Sequence, residues 1–184
     1  MMSAYHIVAV HFPIAFWMTA SVAILWRAVS AGPVAQAIDR ALVPLLMLGL
    51  VTGILAFGIG TLVWPFETLS ASALGRNHLL LAAWTTAYWA LVLATRMIQG
   101  EAVWEGPMRV VMAGLALLGG AFIGITGTLG GHLVGSYTEV TDLLRLLGWE
   151  VYTTFYLPNL TLMIIVVASV ILIGMGIMSA RRTA

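Results

Sequence analysis

The sequence predicts an all-α integral membrane protein: a helical bundle of five transmembrane helices, the first four forming two pseudo-repeated hairpins ahead of a C-terminal helix. Three observations carry this. The 184 residues are 61% hydrophobic and 8% charged, with a mean hydropathy of +1.04, too apolar for a water-soluble domain. Five windows, 7–26, 41–64, 79–95, 110–134 and 157–178, are long enough to cross a hydrocarbon layer of roughly 30 Å at about 1.5 Å per residue, and none holds Asp, Glu or Arg. Small residues recur in the second and fourth windows as Gly49, Gly53, Ala56, Gly60 and as Gly120, Gly124, Gly127, Gly131, each set along one stripe of a helix.

The first window opens on His6-Ile7-Val8-Ala9-Val10-His11-Phe12-Pro13-Ile14-Ala15, and no positively charged region precedes it, so it is expected to stay as a span. Pro13 is placed in the first turns, where a missing N–H is tolerated; deeper in a helix it would free the carbonyl of Ala9. The connections carry the turn and charge signals: 27–40 with Gly32-Pro33, 65–77, 96–109 with Gly106-Pro107, and 135–156. Within the last of these, Val140, Leu143, Leu144 and Leu147 make one apolar face, which predicts a short interfacial helix over 138–149. Tyr137, Trp149, Tyr152 and Tyr156 would make it a lid at the level of the aromatic belt.

An odd number of spans puts the termini on opposite sides. Arg27, Arg40, Arg96, Arg109, Arg181 and Arg182 then share one side and Arg76 and Arg145 the other, so the positive-inside rule makes the C-terminus cytoplasmic and the N-terminus periplasmic in a bacterial inner membrane. All four histidines, His6, His11, His78 and His132, fall at the outer ends of spans that carry no other ionisable group.

Composition also excludes chemistry. With no cysteine there are no disulfides, thiolate metal sites, iron–sulfur clusters or covalently attached haem. All eight basic residues are arginine, so no catalytic amine is present, and no basic run points to nucleic acid. Glu67, Glu139 and Asp142 have no motif spacing for metal hydrolysis. The spans lack a carboxylate, which weakens a proton-coupled transporter without excluding transport of a neutral solute.

Imidazoles from different helices are the usual way to hold a b-type haem in a bundle. Aligning His11-x3-Ala15-x-Trp17 with His78-x3-Ala82-x-Trp84 makes His11 and His78 the natural axial pair, with His132 as a replacement at similar depth. His6 and His11, five residues apart, differ by about 140° around a helix and cannot serve one iron from one face. The count is therefore one haem, or two with His6 and His132 as a second pair. Arg76 is a candidate partner for a haem propionate or a plain interfacial anchor. Trp17 and Trp84 are expected to fill the bundle. A zinc or copper site of neutral imidazoles is the alternative within the metal class.

The stretch His11-Phe12-Pro13-Ile14-Ala15, a histidine opening the third span (His78) and the element Gly130-Gly131-His132-Leu133-Val134 closing the fourth resemble a family of small bacterial membrane proteins known only as a domain of unknown function. The resemblance covers about residues 5–137 and implies a place beside cytochromes; a histidine inside the last element is not part of what it implies. The expected function is a haem b-binding subunit of a hetero-oligomeric complex in the lipid bilayer, an electron-transfer subunit more than an enzyme with its own active site. It would pass electrons between a periplasmic redox protein such as a c-type cytochrome and the quinone pool or another membrane carrier. A cofactor-free structural or assembly subunit is the alternative.

Overall fold

The computed structural model describes residues 2–155 and 159–183. Among them the chain is helical throughout: α1 (Met2–Val29), α2 (Pro33–Arg40), α3 (Leu42–Val63), α4 (Phe66–Ser70), α5 (Ala73–Gln99), a 3₁₀ turn (Gly100–Trp104), α6 (Met108–Leu133), α7 (Val140–Leu146) and α8 (Asn159–Thr183). Five of these segments are long and apolar enough to cross a membrane. The first and third helices begin earlier than hydropathy predicts, because His6, Arg76 and Asn77 interrupt apolarity without interrupting the backbone. The earlier start places Pro13 in the interior of α1 rather than its first turns, which leaves the Ala9 carbonyl without its helical partner. The connection around Gly32-Pro33 holds a helix, with Gly32 as its N-cap and Pro33, whose fixed φ suits the first turn, opening it.

Helices α1, α3, α5 and α6 form a four-helix ring in which α1 packs on α3 and α6, and α5 on α3 and α6; α8 packs on the ring at α6. In lipid, close backbone approach replaces the hydrophobic force between helices, and glycine supplies it here. The indole of Trp17, on α1, lies against Gly49 and Gly53 of α3, where a Cβ at Gly53 would come within 2.6 Å of the ring. Trp89, on α5, lies likewise on Gly119 of α6, at 2.5 Å. The two indoles stack at the middle of the bundle, with centroids 5.9 Å apart and planes 9° from parallel. Trp84 is 61% exposed, facing out of the bundle instead of filling it; Trp89, five residues on, takes the inner position.

The end of the ring that carries α2 and the 3₁₀ turn is tied by a buried ion pair. Arg96 donates to both oxygens of Asp39, at 2.8 and 3.4 Å, Trp104 Nε1 donates to the same carboxylate at 3.1 Å, and Glu101 joins Arg96 to Arg27. At the opposite end, α6 closes at Gly135, φ +81°, with Ser136 N–H donating to Gly131 O. Helix α7 is shorter than the predicted 138–149 and closes the same way at Gly148, φ +83°. Its Leu144, with Trp149 and Val151, packs on Leu74 and Leu129. It therefore covers the edge between α5 and α6. Tyr156, predicted to join this lid, and the start of the predicted fifth span lie outside the described residues.

Candidate cofactor site

A cavity of about 560 Å³ lies among α1, α3, α5 and α6 at the end of the bundle that holds the histidines. That size is ordinary for a small-molecule or cofactor site. Its walls are largely apolar, Trp17 and Ile123 close its inner end, and three of the four histidines, His6, His11 and His78, line it.

Two of these imidazoles are held alike. His6 Nδ1 lies 3.0 Å from Ala56 O, and His78 Nδ1 lies 3.1 Å from Thr126 O. A carbonyl only accepts, so each ring carries its proton on Nδ1 and presents a bare lone pair on Nε2. A backbone carbonyl that accepts from the far nitrogen fixes the ring orientation and tautomer of metal-ligating histidines. Each ring also rests on a glycine of the neighbouring helix: a Cβ at Gly60 would stand 2.8 Å from His6 Cε1, and one at Gly130 would stand 2.8 Å from His78 Cε1.

These contacts reveal the internal repeat in a register different from that of the sequence alignment. His6 and Trp17 map onto His78 and Trp89 at an offset of 72, and Gly49, Ala56 and Gly60 map onto Gly119, Thr126 and Gly130 at an offset of 70. The aligned hydrogen bonds, glycine cradles and stacked indoles coincide under this mapping. His11–Trp17 against His78–Trp84 does not, and neither does the stripe Gly120, Gly124, Gly127, Gly131. Gly124 and Gly127 in fact face open space, and Gly127 lines the cavity.

Of the remaining candidates, His11 also lines the cavity but is held differently, and His132 and Arg76 sit outside it. His11 is exposed, its Nδ1–H donating to Ile7 O within its own helix at 2.6 Å. His132 is buried beneath α7 with both nitrogens engaged, Nδ1 with the Tyr152 hydroxyl at 2.8 Å and Nε2 with Thr141 Oγ1 at 2.6 Å, and it does not line the cavity. Arg76 is exposed; its guanidinium donates to Ser70 O and lies over the Phe155 ring at 4.1 Å, outside the cavity wall. Among the described residues no three His, Cys, Asp or Glu side chains come together as a metal site.

A flat tetrapyrrole with two open axial positions fits this arrangement on three counts: two lone-pair imidazoles on different hairpins, an apolar wall, and side-chain-free space over Gly127. Among the described residues no arginine lines the cavity; Thr68, Ser72 and Ser136 offer hydroxyls in its wall. Comparison of the chain with protein-family profiles, with curated proteins and with solved structures finds no match in any of the three.

Proposed function

We propose that the protein is a haem b-binding membrane subunit of a redox complex, with His6 and His78 as the axial ligands of one haem. The observation that carries this reading is the equivalence of the two imidazoles, each with Nδ1–H tied to a backbone carbonyl and Nε2 free in the wall of one cavity. Held by both imidazoles, such a group would supply a one-electron couple. The chain's own work is ligation, orientation and exclusion of water. Ala56 O and Thr126 O hold the rings, the glycines beneath them let the rings lie close to α3 and α6, and Trp17, itself stacked on Trp89, closes the inner end with Ile123.

The arginine distribution supports a bacterial inner membrane with the histidine end outward. From there electrons reach an extracytoplasmic partner such as a c-type cytochrome on one side, and the quinone pool or another membrane carrier on the other. His132, with both nitrogens engaged, and Arg76, away from the cavity, have no part in this ligation.

The test is a reduced-minus-oxidised visible spectrum of the purified protein made with ample haem supply, with a pyridine haemochrome count. One haem b per chain and a six-coordinate spectrum are expected. His6→Ala and His78→Ala each abolish that spectrum, and His132→Ala keeps it. No haem in the wild type overturns the reading and leaves a cofactor-free structural subunit.

A further inference from the structure

His6 and His78 are alike in tautomer and unlike in how their helices are held. Under the mapping that pairs His6 with His78 and Trp17 with Trp89, the α5 residue corresponding to Pro13 is Thr85, and the α6 residue corresponding to Ala56 is Thr126. Pro13 and Thr85 both line the cavity. Thr85 is buried and its hydroxyl is hydrogen-bonded to Thr126 Oγ1 at 2.9 Å, so α5 grips at a second point the residue whose carbonyl accepts from His78. Pro13 does the reverse. It removes the bond to the Ala9 carbonyl in the interior of α1, and a proline there is the usual site of bending in a helix. Trp17, one turn further in, stays seated on Gly49 and Gly53.

The outer turns of the two helices differ in the same sense. Those of α5 are tied by Arg76 to Ser70 O, by Asn77 Nδ2 to Thr154 O at 2.6 Å, and by His78 itself. Among the described residues, the single hydrogen bond from Ser3–Phe12 to another element is that of His6 with Ala56 O. One hairpin has a clamp where the other has a hinge.

From this asymmetry we infer that His6 is an exchangeable ligand: the turns of α1 outward of Pro13 swing away with it while His78 stays, and an uncharged diatomic molecule such as carbon monoxide or nitric oxide takes the position His6 leaves. The swing breaks one hydrogen bond and leaves the Trp17 seat intact. Among the described residues no Arg, Asp or Glu lines the cavity, so an uncharged ligand enters at lower cost than an anion. The inference rests on the haem reading and adds to it a binding site that opens on one side only.

The experiment is stopped-flow mixing of carbon monoxide with the dithionite-reduced, purified full chain, followed in the Soret region, with a pyridine haemochrome count on the same samples. Wild type is expected to bind carbon monoxide at a rate that levels off as its concentration rises, because release of His6 limits it. Pro13→Ala, which restores the bond to Ala9, lowers that plateau about tenfold and keeps the haem content. Thr85→Val, which loosens the other hairpin, moves the plateau by less than about twofold. Haem-loaded wild type that binds no carbon monoxide, a rate that never levels off, or a plateau that Pro13→Ala leaves unchanged overturns the inference and keeps the haem reading. A plateau raised severalfold by Thr85→Val also overturns it, and makes His78 the ligand that leaves. Wild type without haem overturns the haem reading and this inference together.

Discussion

Each inner side chain of the ring is held by the absence of a side chain opposite it. Gly130→Ala puts a methyl 2.8 Å from His78 Cε1, and the ring can yield only by leaving the carbonyl of Thr126. Under the proposed function its haem content falls severalfold, as does that of Gly60→Ala, measured by pyridine haemochrome per chain. Gly119→Ala meets Trp89, which is fully buried and stacked on Trp17, so overpacking should cost about 1–3 kcal/mol, read as a lower unfolding midpoint in detergent. Gly124→Ala, with nothing within 4 Å of the new methyl, should change neither quantity. The right partners were within reach of helical geometry. His6 and Trp17 are eleven residues apart, close to three turns, and so about 20° apart on the helix, as are His78 and Trp89. His11 and Trp17 are six apart, about 120° different in direction, and do not share one stripe of the helix. The local likeness His-x3-Ala-x-Trp hid this, because a contiguous match says nothing about which face a neighbouring helix covers.

At the scale of the element, hydropathy and turn chemistry were enough to place the long helices, since a spanning segment must satisfy its own backbone and so declares itself by length and apolarity. What single-helix patterns could not show is the pairing of polar residues between elements. Arg96 and Asp39 fall in two separate predicted connections, 96–109 and 27–40; the structure brings them 2.8 Å apart and buries both, because α2 and the 3₁₀ turn fold back over the ring. Removing one partner of such a pair strands the other. Asp39→Ala or Arg96→Ala should each cost about 3–5 kcal/mol in a reversible detergent unfolding assay, while Asp39→Leu combined with Arg96→Met should cost less than either alone. A double change as damaging as the sum of the singles would show that the two side chains act independently. The same blind spot hid the engagement of His132, whose partners Tyr152 and Thr141 lie in the segment past α6.

Across the whole molecule, charge is divided by end. The ion-pair cluster holds Arg27 and Arg96, yet Arg40, Arg109, Arg181 and Arg182 still outnumber Arg76 and Arg145. At the histidine end Arg145 is itself paired with Glu150 and Asp142, and the hydrogen bond it donates to Glu150 raises its pKa further, so it stays charged but locally neutralised. Every contribution therefore favours retention of the arginine end in the cytoplasm, with the histidine cavity outward. A fluorescent protein fused after Ala184 should fold and fluoresce, and alkaline phosphatase at the same place should stay inactive. The opposite pattern would put the cavity in the cytoplasm, out of reach of a periplasmic electron carrier. Helix α8 makes this a demanding test, because it lies outside the ring and packs on α6, so its direction alone does not report that of the cavity. A second phosphatase fusion, after Gly135 at the end of α6, should therefore be active. Agreement between the two sites fixes the ring as well as the tail, since α6 and α8 must cross in opposite directions for the phosphatase to be active after one ring helix and silent after α8 returns the chain.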